Sequence, residues 1–146
     1  MGEFTGGPSL EQKLAAVMEK YRSHFQFIGV DVTDPRQPGA LGDTMLHFAA
    51  EYGDADEIEV LVAAGVNVNA IGDIGNTPLH SAALMGKDAC VKRLLELGAD
   101  PTVRNEFGET AEDWARALKR HEVLKVLRSY GSFRSGDGSR KGLADS

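Results

Sequence analysis

Cysteine is almost missing from this chain of 146 residues, where Cys90 stands alone. A single cysteine excludes a disulfide framework within the chain and argues against a cysteine-based metal site. It agrees with a reducing compartment, and the expected location is cytoplasmic. No run of about 18 apolar residues is present, so no membrane span is expected. The N-terminus lacks a basic segment followed by an apolar core and does not read as a secretory signal. Basic charge is in deficit: 16 Lys and Arg against 22 Asp and Glu give a net charge of −6 and a pI of about 5.2. That balance disfavours nucleic acid or anionic lipid as a partner, since either needs a basic face. The glycine-rich phosphate loops, the HExxH zinc signature and the GxSxG nucleophile elbow are all missing. No pair of carboxylates sits in a recognisable catalytic setting, and no cofactor is expected.

What remains is ordinary in composition and unusual in arrangement. Apolar residues make up 42% and charged residues 26%, values of a globular protein, and the length suits one domain. Gly42, Gly75 and Gly108 are separated by 33 residues, and Gly65, Gly98 and Gly131 repeat that interval at a second phase. A fixed period of this length points to a repeat architecture. The middle unit contains Thr77-Pro78-Leu79-His80-x-Ala82, then Gly86, then Leu94-Leu95-x-x-Gly98-Ala99-Asp100. These residues resemble the ankyrin repeat, from about Gly39 to Gly131. The resemblance implies an all-α solenoid in which each unit is a projecting turn followed by two antiparallel helices. It also implies a protein that holds another protein and is not an enzyme.

Around the repeats the chain divides as follows. Residues 1–8 hold three glycines and are expected to be loose. Residues 9–38 are expected to form an N-terminal capping helix and a degenerate half-repeat. Ser9 and Gln12 carry a capping-box signature, and Leu10, Leu14, Val17, Tyr21 and Phe25 lie on one helical face. Three repeats then occupy 39–71, 72–104 and 105–131, and a disordered tail occupies 132–146. Expected helices are 45–52 and 56–64 in the first repeat, and 78–85 and 89–97 in the second. The third unit departs from the pattern. Ala111 replaces the proline, Glu112 the leucine, Asp113 the histidine and Lys119 the glycine, and Arg128 stands where Val62 and Leu95 stood. A charge buried against a further repeat would be costly. This unit therefore reads as a C-terminal cap with a polar outer face, and the array is expected to be closed at both ends, a whole domain.

His47 and His80 invite a catalytic or metal reading. The resemblance implies instead that each ring is a structural hydrogen-bonder between neighbouring repeats. Stacked helices about 10 Å apart would also keep the two rings from sharing one metal. Cys90 reads as a buried, inert side chain, and Trp114 as packing between repeats.

The partner-binding candidates lie elsewhere. Leu41, Ile74 and Phe107 each precede the repeat glycine, near the tip of the projecting turn. Asp43, Asp73, Asn76, Glu106 and Glu109 surround them as a polar, mainly acidic fringe. On the inner face of the first helices, the family's variable contact residues align with Glu51 and Tyr52, with Leu84 and Met85, and with Ala117 and Leu118. An exposed apolar stripe with such a fringe marks an interaction site for a protein with a basic surface. A narrower version is an immunity or inhibitor protein that blocks a basic toxin or effector enzyme, as some small bacterial ankyrin proteins do.

Overall fold

Thr at three equivalent positions starts the inner helices. In a computed structural model describing residues 7–29 and 31–134, with backbone alone for Phe25 and 131–134, Thr44, Thr77 and Thr110 are all N-caps. Each has an extended backbone, and its hydroxyl accepts a bond from the first turn. They open α2 (Met45–Tyr52), α4 (Pro78–Leu84) and α6 (Ala111–Ala117). Pro78 sits in the first turn, where its missing N–H costs nothing. Alternating with them are α1 (Leu10–Arg22), α3 (Ala55–Ala63), α5 (Asp88–Glu96) and α7 (His121–Arg134). There is no strand among the described residues.

None of these helices is long enough to be stable alone in water. Stability comes from stacking in two rows. The inner row is α2, α4, α6, and the outer row is α1, α3, α5, α7. Between them lie Met45, Leu46, Ile58, Leu61, Leu79, Val91, Leu94 and Leu95, all fully buried. Gly65 and Gly98 end α3 and α5 in the left-handed conformation, at φ 102° and 104°.

The outer row has one helix more than the inner row. At the N-terminal end, α1 stacks on α3, while the place beside α2 is filled by a short 3-10 turn, Phe25–Phe27. The His24 ring stacks on Phe48 at 3.8 Å, and Phe27 meets Phe48 edge-on at 5.8 Å. This plug leaves Phe48 2% exposed. His24 is thus part of the N-terminal cap. The buried face of α1 keeps Leu14, Val17 and Tyr21 of the expected stripe and adds Met18. Val17, Met18 and Tyr21 are buried, whereas Leu10 is exposed. The expected capping box of Ser9 and Gln12 is present. Tyr21 donates its hydroxyl to Glu57 at 2.6 Å, and Lys20 reaches the same carboxylate at 2.7 Å. Burial first, then Glu57, pushes the Tyr21 hydroxyl far above its usual range, so it stays a donor.

At the other end Glu112 takes the place of the buried Leu46 and Leu79. It pairs with Arg116 at 3.1 Å and lies 3.6 Å from Arg128. These charges sit on a half-exposed face, where pairing is cheap and adds little stability. The last helix continues through Gly131 to Arg134, past the expected end of the third unit. Residues 1–6 and 135–146, which include most of the expected tail, lie outside the described residues.

Lys119 stands where the second repeat has Gly86, and both adopt positive φ, 58° and 71°. A side chain in this region costs about 1–2 kcal/mol, of which glycine's extra freedom in the unfolded chain takes back part. Lys119→Gly is therefore expected to stabilise the fold by about 0.5–1 kcal/mol. Urea unfolding followed by circular dichroism measures this; a destabilised variant would show that the lysine is not strained.

Candidate protein-binding surface

The three projecting turns are tied to one another. The Asp73 amide donates to Asp43 Oδ1 at 2.9 Å, the Glu106 amide to the Ile74 carbonyl at 2.9 Å, and Asn105 Nδ2 to Asn76 Oδ1 at 3.0 Å. The first turn is anchored from upstream. Gln26 Nε2 donates to Asp43 Oδ2 at 3.0 Å, and its Oε1 accepts from the Leu41 amide at 3.2 Å. The result is a pre-organised ledge.

Leu41 and Phe107 project from this ledge, 51% and 67% exposed. Ile74 is half-buried, at φ 51°, a conformation that a β-branched residue rarely takes. Its carbonyl is fixed there by the Glu106 amide. Ile71, 59% exposed beside the middle turn, adds apolar surface that repeat alignment does not reveal, because Pro38 and Arg104 hold the equivalent places.

The acidic fringe needs correction. Asp43 is 9% exposed, and both its carboxylate oxygens accept bonds that hold the turns. Gly72 is packed so closely that a Cβ there would lie 2.1 Å from Asp43 Oδ1. Asn76 is half-buried and bonded to Asn105. The Glu109 carboxylate accepts from Trp114 Nε1. These three residues build the ledge, and the exposed carboxylates are Asp73 and Glu106.

The histidines bind the units together. His47 Nδ1 accepts from the Thr44 amide at 3.0 Å, and its Nε2 donates to the Asn76 carbonyl of the next turn at 3.0 Å. His80 repeats this with Thr77 at 3.1 Å and the Glu109 carbonyl at 2.8 Å. These partners require the neutral ring with its proton on Nε2. Burial pushes both rings below the usual histidine pKa. Asp113 explains itself by the same geometry. Its carboxylate accepts from the Thr110 amide at 2.9 Å, and no further turn follows among the described residues to need a donor. The Trp114 ring meets His80 edge-on at 5.6 Å, as packing between units requires.

At the other end of the inner helices a second apolar row appears. Tyr52, Met85 and Leu118 are 55%, 42% and 44% exposed. Glu51 and Leu84 are half-buried beside them. Burial raises the Glu51 carboxyl, while bonds with the Tyr52 and Ser81 side chains draw it down. Cys90 is buried in α5, and burial pushes its thiol up, away from thiolate chemistry. Among the described residues no group of three or more His, Cys, Asp or Glu could hold a metal ion, and no helix is long and apolar enough to cross a membrane.

Paired helices stacked through projecting turns define a helical-repeat solenoid. The family model for ankyrin repeats (3 copies) matches residues 14–105, more than half of the chain. The chain belongs to the ankyrin-repeat family. The match starts inside α1 and ends at Asn105, so it takes in the N-terminal cap and leaves out α6 and α7. Those two helices nevertheless stack on α4 and α5. A curated relative is the E3 ubiquitin-protein ligase Ufd4 of Drosophila melanogaster, 36% identical over 102 residues. The aligned stretch is 68% of this chain and only 4% of that protein. Ankyrin repeats are generally protein-protein interaction modules, and the family is generally non-enzymatic.

Proposed function

We propose that this chain is a non-enzymatic module that grips a partner protein with its turn tips and the inner face of its solenoid. The observation that carries this is the exposure of Leu41 and Phe107 on a hydrogen-bonded ledge. Large apolar groups held rigidly in water lose little further entropy on binding and gain from being covered. Asp73 and Glu106 beside them, with the net charge of −6, favour a partner with a basic surface over nucleic acid or a membrane. The lone, buried Cys90 suits a reducing, cytoplasmic setting. Likeness to a small part of a ubiquitin ligase fits a holding role, and it gives no reason to assign ligase chemistry to these residues.

The test is capture of partners from the native cell by the wild-type chain and by Leu41→Ser/Phe107→Ser, followed by titration of whatever is retained. Affinity is expected to fall about tenfold or more, with unfolding free energy within about 0.5 kcal/mol of wild type, as for exposed sites. Equal retention by both proteins would refute the proposed grip.

A further inference from the structure

The middle turn differs from its neighbours in a way the repeat does not require. Leu41, Ile74 and Phe107 hold the same place in three turns, yet of the three Ile74 alone has positive φ. A side chain held there lowers the population of the fold by roughly 5–30-fold. Ile74 is not among the apolar groups packed on the core, so core burial does not offset this.

The needs of the following turn explain the difference. At the first junction the Asp73 amide donates to Asp43 Oδ1 at 2.9 Å. Gly72 allows this approach, because a Cβ there would lie 2.1 Å from that oxygen. At the second junction, 33 residues on, Asn76 replaces Asp43 and Asn105 replaces Gly72. Asn105 brings a Cβ to the place where the carboxylate approached, and its Nδ2 donates to Asn76 Oδ1 at 3.0 Å. The Glu106 amide, equivalent to that of Asp73, turns instead to the Ile74 carbonyl at 2.9 Å. Leu41 is spared because Asp43 serves the following amide, and Phe107 because no further turn follows it among the described residues.

The outcome is a stripe with a low centre. Leu41 and Phe107 stand out on either side, and Ile74 is drawn back between them, half-buried. We propose that the Asn76–Asn105 pair shapes the binding stripe. By engaging each other, these two residues send the Glu106 amide to the Ile74 carbonyl and hold the Ile74 side chain back, at a cost in stability. Strain of this kind is found at binding sites, where the surrounding structure enforces it. A partner fitted to this shape sets an apolar group over Ile74, where a raised side chain would collide. Asn76 and Asn105 are positioning residues in this account, which deepens the protein-binding reading and rests on it.

Nuclear magnetic resonance of the full chain tests the inference. A left-handed residue holds its amide proton close to its own Hα, so a strong cross-peak between the two is expected in Ile74 and weaker ones in Leu41 and Phe107. Asn76→Asp/Asn105→Gly gives the second junction the residues of the first. Its Ile74 cross-peak is expected to weaken to the level of Leu41, and the Ile74 methyl groups to become open to a paramagnetic cosolute. Ile74→Gly is expected to keep the Glu106 amide protected from exchange and to raise the folded-to-unfolded ratio about twofold or more. Affinity for the protein retained by the wild-type chain is expected to fall about tenfold in Asn76→Asp/Asn105→Gly and to return when Ile74→Gly is added. A weak Ile74 cross-peak in wild type, an unmoved Ile74 in the double variant or a lowered ratio in Ile74→Gly overturns the inference while the protein-binding reading stands. So does an unchanged affinity, or a loss that Ile74→Gly does not reverse, where Leu41→Ser/Phe107→Ser weakens binding. If neither double variant weakens binding, both readings fall. Should Asn76→Asp/Asn105→Gly not fold, the wild-type spectrum and Ile74→Gly decide.

Discussion

His80→Ala is expected to remove about 3–4 kcal/mol of stability, a large share of what a domain of this size possesses. The ring sits 1% exposed between α4 and the third turn. Without it the buried Thr77 amide loses its acceptor, and the Glu109 carbonyl keeps only the bond from the Asn105 amide. The orphaned amide costs about 1–3 kcal/mol, and the lost second bond to Glu109 and the vacated volume add to that. His80→Asp is expected to be at least as damaging. An aspartate restores an acceptor for Thr77 but turns a carboxylate toward a carbonyl, two acceptors face to face. At the equivalent position of the third unit, Asp113 is expected to tolerate the reverse exchange, because no following turn faces it among the described residues. Asp113→His should cost less than about 1 kcal/mol. Urea unfolding of the three variants measures the contrast. A small effect of His80→Ala would show that the ring does not join the units.

Acid is expected to weaken the fold well above the range where carboxylates protonate. His47 and His80 are pushed by burial below their ordinary value of 6.5, so the folded state holds them neutral. Unfolded chains bind their protons first as the pH falls. Stability from these rings is complete above about pH 6.5 and is lost progressively below it, toward the depressed folded values. The slope cannot exceed about 1.4 kcal/mol per pH unit for each histidine. His24, lowered by burial against Phe48, acts in the same direction. Glu51 acts in the opposite direction, since burial raises its carboxyl and the folded state takes up that proton first. Urea midpoints at pH 7.5, 6.5 and 5.5 show the trend. A flat profile would mean that the imidazoles are not held neutral.

The helices were legible because their signals are local. A threonine cap, a proline in the first turn and a glycine after the last turn act over three or four residues, and the period of 33 aligns them in register. Observed helix limits lie within one residue of those expected in the first two repeats. The roles of Asp43, Asn76 and Glu109 were not legible. Asp43 is buried because Gln26, from the turn that replaces an inner helix, and the Asp73 amide, from the following repeat, both converge on it. Neither contact leaves a trace in the residues around Asp43. Ile74 was expected as a solvated tip, and the bond from the Glu106 amide to its carbonyl instead holds it half-buried.

Taken by itself, the order of residues determined where the helices of the first two repeats start and stop, which residues recur and which unit departs from the pattern. Those features follow from backbone hydrogen bonds and side-chain periods that span a few positions. Only the stacked structure decided which acidic groups face water, how His24 and Phe27 close the open flank of α2, and that Tyr52, Met85 and Leu118 line up in one row. Exposure and charge pairing depend on neighbours about 30 residues away in the chain, brought within a few ångströms when the repeats pile up.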